Sequence, residues 1–545
     1  MTAPGVWDPA TFGAAGDYTT DDTDPIQQAI DTCSASGGGI VQLGRHMVDW
    51  PGLAPKSGVT LAGTPGYSKL GQLSNGPVIA STAACSDIGF VGFQIVGPIV
   101  QTVSVPTRAR TASGPGATTG ISLEGDLDPG SPGAPAITNV VIRDVTVVGT
   151  TSLPLRIAGV RGHVSVADSA FTNCQDVGFL WCESVEFSSN RVSGSADNGV
   201  SLSRGCQAVT CEDNRISCCA YNGIWISGFQ TDQGPTHFTI TGNQIRDVGH
   251  NGIYGDYAPR YGTITGNQID CGLYRGPVDQ PSDVNGAGIY LGGYPITNRT
   301  APTAWATGIV LAANSIRQPA RAGVYLNGVQ HVTVASNLLL DVGTPYLADG
   351  TTAITATDAT TNVGILLDQP QTSSGITVTG NTVADTRGTP YCNYGIVPSN
   401  TAAVTASLNT AIGTRQPNNF TETGPARTWQ APQTYNAHRT AAGTAAAVAT
   451  GPQSAAATAG SNGALDGAGV VNTTAVATPA AGTIAKITYA TPYATIPKVT
   501  ISARNSATAT AGIYLTAEST TGFSIATANA AAANASLSVA YSVDG

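Results

Sequence analysis

A parallel β-helix is the fold this sequence predicts, and three observations predict it. The pattern Asn-x-(Ile/Val/Leu) recurs at Asn190, Asn214, Asn243, Asn267, Asn314, Asn337 and Asn381. Alternating with it, a glycine followed by a β-branched or aromatic residue recurs at Gly178, Gly199, Gly223, Gly252, Gly288, Gly323, Gly364 and Gly395. These lie about 20 to 40 residues apart, the interval of a solenoid whose turns carry insertions of different length. Charged residues make up only 11% of the 545-residue chain, against roughly 25% in an average soluble domain. Such a surface, rich in Thr, Ser and Asn, suits a backbone paired mostly in sheet. Apolar alternation in pieces such as Phe238-Thr-Ile240-Thr fits strands rather than helices.

Each element follows in order. Residues 1–50 read as a cap segment, with Thr23 or Asp24 as N-cap of a short helix from Pro25 to about Cys33 and Pro25 at its first position. Gly37-Gly38-Gly39 then leads into the strand Ile40-Val41-Gln42-Leu43. Residues 51–425 form the coil, with a Pro/Gly/Ser/Thr-rich lateral insertion at about 97–136. An Ala/Thr/Gly-rich stretch at 426–482 reads as a linker. Strand-like pieces at 485–493, 498–502, 512–515, 522–525 and 537–541 predict a small β-sandwich-like domain over 483–545. Stacking rungs at ~4.8 Å gives each apolar face the cover it lacks alone. Asparagine at a fixed turn tolerates left-handed backbone and bonds along the stack.

Composition also excludes partners. A net charge of −10 argues against nucleic acid, which needs a basic stripe. No apolar run reaches the roughly 20 residues of a membrane span. The first eight residues carry neither a basic region nor an apolar core, so no signal peptide is read there. The ten cysteines form no CxxC pair, so no metal site or other cofactor is expected, and they read as reduced, buried thiols.

Aligning rungs on the repeat glycine maps the surface. Positions one and three after it, such as Val200/Leu202 and Ile224/Ile226, point inward. The position two after it reads Leu180, Ser201, Trp225, Tyr254, Tyr290, Tyr325, Leu366, and points out. Trp225, Tyr254, Tyr290 and Tyr325 thus predict an exposed aromatic stripe on which sugar rings stack, unless a second subunit or loops cover it. Polar groups border it: the position four after the glycine includes Asp256, Asn327 and Asp368, and the position two before includes Asp197, Tyr221, His250 and Arg321.

Glycoside hydrolysis needs paired carboxyl groups about 5–5.5 Å apart for retention or 6.5–9.5 Å for inversion. Asp256 with Asp283 or Asp279 is the candidate pair, with His250 to hold a proton or orient a carboxylate. Trp225, Tyr254, Tyr290, Tyr325, Asp197 and Asn327 are the candidate sugar contacts. Lyase chemistry has weaker support: no lysine lies between Lys69 and Lys486, leaving Arg260, Arg275 or Arg321 as base.

The segment Phe12-Gly13-Ala14-Ala15-Gly16-Asp17-Tyr18-Thr19-Thr20-Asp21-Asp22-Thr23, followed by a helix, Gly-Gly-Gly and a strand, resembles the N-terminal cap of the pectate-lyase-like superfamily, which includes bacteriophage tailspikes. With the repeat, it implies an all-β chain: a right-handed single-stranded parallel β-helix with a capping helix. The resemblance also implies a homotrimeric phage tail protein, a minor tail protein or tailspike of the virion tail. It would be assembled in the host cytoplasm among other tail proteins and contact host cell-surface glycan. Two alternatives stay open, a polysaccharide depolymerase and a purely structural tail component.

Overall fold

The computed structural model describes residues 5–81, 83–97, 100–104, 109–113, 118–128, 133–228, 234–272, 286–293, 305–344, 361–368, 374–398, 404–415, 428–429, 434–435, 447–464, 468–489, 492–493 and 495–544. It divides into two compact units, Met1–Asn436 and Ala437–Gly545.

The first unit is the predicted coil. Three parallel sheets run along it, of 15, 14 and 11 strands among the described residues, and each turn visits the first, second and third in sequence. The inward positions are those expected: Val200, Leu202, Ile224, Ile226, Val324, Leu326, Ile365 and Leu367 are all fully buried in one continuous apolar core.

The capping helix spans Thr23–Ala35 and begins two residues earlier than predicted. Asp22 precedes it yet makes no side-chain cap bond. Its buried carboxylate instead accepts from the backbone N–H groups of Ala15 (2.7 Å) and Gly16 (3.0 Å) and pairs with His46 Nδ1 at 2.7 Å. Because His46 Nε2 accepts from the Gly44 N–H, Nδ1 carries the proton and donates to Asp22. The Asp-Asp segment therefore ties the first turn to the strand Arg45–Val48.

The asparagine repeat forms a buried ladder. From Asn190 through Asn214, Asn243, Asn267, Asn314, Asn337 and Asn381 to Asn409, each side-chain oxygen accepts the backbone N–H of the preceding asparagine at 2.9–3.1 Å. Each side-chain amide also donates to a strand carbonyl one rung back, as Asn267 does to Ile240 at 3.0 Å. The left-handed residue is the one before the asparagine, for example Asp213, Gly242, Gly266, Ala313 and Ser336. The turn is thus shared between two positions: one bends the chain and the next bonds along the stack.

The repeat glycines have another cause. Gly199, Gly223, Gly252, Gly288, Gly323 and Gly364 keep ordinary negative-side or extended backbone and are absent from the left-handed set. A Cβ on Gly223 would lie 2.7 Å from the Gly252 carbonyl oxygen, and one on Gly288 would lie 2.8 Å from that of Gly323. They are small because consecutive rungs approach too closely for a side chain.

Two boundaries shift. Residues 118–124, expected inside the lateral insertion, form a strand of the third sheet, preceded by an antiparallel pair at 100–104 and 109–113. Strands at 447–450, 454–464 and 468–475 lie in the stretch expected as linker, where Ala-, Thr- and Gly-rich segments pair antiparallel with one another and with later strands of the chain. The second unit holds two four-stranded antiparallel sheets over a core that includes Val471, Ile484, Phe523, Ile525, Leu537, Val539 and Tyr541.

All ten cysteines are free, nine buried and Cys218 half-buried. Burial pushes the Cys271 and Cys392 thiols up to about 12, so they pack as small apolar groups.

Candidate functional site

The outer face of the third sheet carries the predicted column in register. Ser201 pairs with Trp225, Trp225 with Tyr254, Tyr254 with Tyr290, Tyr290 with Tyr325, and Tyr325 with Leu366. The Tyr254 and Tyr290 rings stack at 4.9 Å with planes 14° apart, and Tyr325 meets Tyr290 edge-on at 5.2 Å. One rung departs from the alignment: Gly178 pairs with Ser201 rather than with Gly199. The column there holds Gly178, not Leu180, and the glycine position is taken by Asp176, whose carboxylate bonds the Ser201 hydroxyl.

Exposure corrects the expectation. Tyr254, Tyr290 and Tyr325 are only 5%, 2% and 0% exposed. With Ala287, Ala322, Val363, Leu366 and Val397 they form a second apolar cluster, against which Trp225 packs half-buried. Alternation sends these rings to the outer face, but Leu366 and Val397 further along the same column, and Ala287, Ala322 and Val363 in a neighbouring one, turn that face into a dry seam within a single chain. Of this stripe, Trp225 alone keeps an accessible ring.

A polar column runs beside the seam through Ser203, Ser227, Asp256, Gly292, Asn327 and Asp368. The Tyr254 hydroxyl donates to Asp256 at 3.0 Å and that of Tyr325 to Asp368 at 2.6 Å. Asp256 is 4% exposed and its second oxygen has no partner; the same holds for the Asn327 side-chain oxygen. Burial pushes the Asp256 carboxyl well above its usual range, and the tyrosine bond offsets only part of that.

Across the strand, backbone bonds stack Asp197, Tyr221, His250, Gly286 and Arg321. Asp197 is half-buried and accepts from Asn198 at 3.0 Å. His250 is buried edge-on to Tyr221 at 4.7 Å, its Nε2 without a partner.

Of the predicted catalytic residues, the described ones, His250 and Asp256, are not brought together. His250 lies three residues before the strand Ile253–Asp256 and Asp256 is that strand's last residue, so His250 does not orient that carboxyl. Asp256 and Asp368 are three rungs apart, about 14 Å at ~4.8 Å per rung, beyond either glycosidase spacing. Asp283 and Asp279 lie outside the described residues. Among the described residues no group of three or more His, Cys, Asp or Glu is placed to hold a metal.

The family model for the right handed beta helix region matches residues 117–269 and 227–424, together more than half of the sequence. The chain belongs to the right-handed β-helix family. No curated protein matches it. Among solved structures, this β-helix is similar to the A-modules of two Azotobacter vinelandii mannuronan C-5 epimerases, AlgE4 and AlgE6. Identity is 19% and 20%, with 78% of this chain and 100% and 98% of theirs covered, each at a TM-score of 0.50. The Dettilon tailspike protein gp208 aligns over 99% of this chain and 94% of its own, at 16% identity and a TM-score of 0.47. At these identities the likeness is one of fold.

The β-helix also presents residues that the repeat alignment passed over. At the corner between the third and first sheets, Tyr257 and Ala258 are both left-handed, and Arg260 opens the next strand. Tyr261 follows, 55% exposed, its ring 5.4 Å from that of exposed His237 one rung below at 32°. Left-handed backbone at His237 and Tyr261 throws both rings outward as a ledge. The available signal was the aligned pairs His237-Phe238 and Tyr261-Gly262, each an aromatic or imidazole ring one residue before a paired strand position.

The buried carboxyl gives a pH-dependent prediction. With its folded pKa raised, Asp256 holds its proton in the folded state after the unfolded chain has lost it, so stability falls as pH rises from about 4 upward. Asp256→Asn removes that penalty. Its unfolding free energy at pH 7 is expected to exceed that of the native chain by about 1–3 kcal/mol, with the difference closing below pH 3. A variant less stable than the parent at pH 7 would refute a protonated Asp256.

Proposed function

We propose that this β-helix binds polysaccharide, and that it does so as a phage tail protein contacting host-surface glycan. The observation that carries the reading is the exposed Tyr261–His237 ledge, fixed on hydrogen-bonded rungs with Arg260 next to Tyr261 in the chain. Flat rings on a rigid scaffold are what a sugar ring stacks against at little entropic cost. Half-buried Trp225 adds a further ring on the neighbouring sheet. The two epimerases similar in fold are named for mannuronan, itself a polysaccharide. Support for the tail role comes from the cap motif around Phe12–Thr23 and a separate C-terminal β unit; trimeric assembly and a virion location belong to the same proposal.

Depolymerase activity is the second reading, and Asp256 favours it, since burial raises its affinity for a proton, the direction a general acid requires. The test is incubation of the intact protein with a panel of bacterial capsular and wall polysaccharides, reading retention and released reducing ends. Retention without release is expected, with Tyr261→Ala weakening binding roughly threefold to tenfold. Release lost in Asp256→Asn would establish the enzyme, and retention of no glycan would remove the proposal.

A further inference from the structure

We propose that Arg260 binds the carboxylate of an acidic sugar, with the Tyr261–His237 ledge as the stacking face beside it. This rests on the glycan-binding reading and names the class of glycan. The Nε and Nη2 atoms of Arg260 are buried and have no hydrogen-bond partner. Elsewhere in the coil this same edge of the guanidinium is filled. Arg161 donates through Nε and Nη2 to Asp126 at 2.9 and 3.0 Å. Arg387 does so to Asp385 at 2.8 and 2.6 Å. Arg161 and Arg260 are each the first residue of a strand in the first sheet.

A guanidinium stays charged at any working pH, and burying its donors unpaired is costly. The rung neighbours of Arg260 in the sheet, Thr236 and Thr307, carry no charge to meet it. Two parallel N–H groups in a fixed plane match the two oxygens of a carboxylate, as both internal pairs illustrate. Because neither Nε nor Nη2 makes a hydrogen bond where it lies, rotation of this long side chain toward a ligand gives up none at that edge. The adjoining Tyr261 ring then selects an acid carried on a sugar over a free anion.

The experiment is calorimetric titration of the intact protein with oligogalacturonate and oligosialic acid, and with each after carboxyl reduction. Native protein is compared with Arg260→Met and Arg260→Lys. Arg260→Met is expected to weaken binding of at least one acidic oligomer roughly tenfold or more, and carboxyl reduction to weaken the native protein by the same factor. The two losses should not add, because both remove one contact. Arg260→Lys, which keeps charge but not the fork, should fall between, and it carries the comparison if Arg260→Met does not fold. Equal affinity of native protein for acidic and reduced oligomers, or an unchanged Arg260→Met, overturns the assignment while leaving glycan binding in place. Failure to bind these oligomers and the wall and capsular panel alike removes both.

Discussion

Asn267→Ala is expected to lower the stability of the coil by about 3–5 kcal/mol, since several buried groups lose their partners and each costs about 1–3 kcal/mol. The Asn267 side-chain oxygen accepts the Asn243 backbone N–H at 3.1 Å and the Asn243 side-chain amide at 2.9 Å. Its own amide donates to Ile240, Thr265 and Asn314. An alanine orphans the Asn243 N–H inside the stack, where water does not reach, and strips the Asn243 side-chain amide and the Ile240 carbonyl of one bond each. Denaturant unfolding followed by tryptophan fluorescence measures the loss, with half-buried Thr263→Ala as a control expected within about 0.5 kcal/mol. The Asn243→Ala/Asn267→Ala double variant should lose less than the sum of the singles, because the bonds between the two residues are removed only once. Additive losses, or a cost for Asn267→Ala below about 1 kcal/mol, would mean that the ladder is incidental to the stacking.

The architecture was legible because a stacked coil repeats its local chemistry. Asparagines that bond along the axis, and glycines that let rungs touch, recur at every turn and so stand out in one sequence. Their causes were less legible. Both a turn and a close approach select glycine, and only the backbone angles separate them. The vertical order of Trp225, Tyr254, Tyr290 and Tyr325 was readable, since strand alternation and register determine it. Whether those rings meet water depends on what lies over the outer face, which alternation does not encode, and here Leu366, Val397 and their neighbours close it. Gly178 misled for a related reason: its rung places Asp176 where the others place glycine. Tyr261 and His237 escaped notice, and Arg260 stood out only as a candidate lyase base, because all three sit at the third corner, which carries neither the asparagine nor the glycine signature. Their outward direction comes from left-handed backbone that no local residue type announces.

The glycine column offers the sharper test of what holds the rungs together. Gly288→Ala is expected to cost about 3 kcal/mol or more, the upper range for overpacking a filled interior. A methyl group there would lie 2.8 Å from the Gly323 carbonyl oxygen and closer still to the Ile316 side chain, which is fully buried in the core. Neither neighbour can retreat: the carbonyl belongs to the next rung's glycine, and Ile316 is held between Ile269 and Leu339 on the second sheet. Gly388→Ala is the matched comparison, because a Cβ there meets nothing within 4 Å and its backbone is not left-handed. That change should be neutral or stabilising by about 0.4–1 kcal/mol through the unfolded chain. If the two variants instead cost the same, backbone entropy rather than space would be the reason for the repeat. A large gap between them, measured as denaturation midpoints under one set of conditions, identifies rung-to-rung distance as the constraint that placed a glycine at each turn.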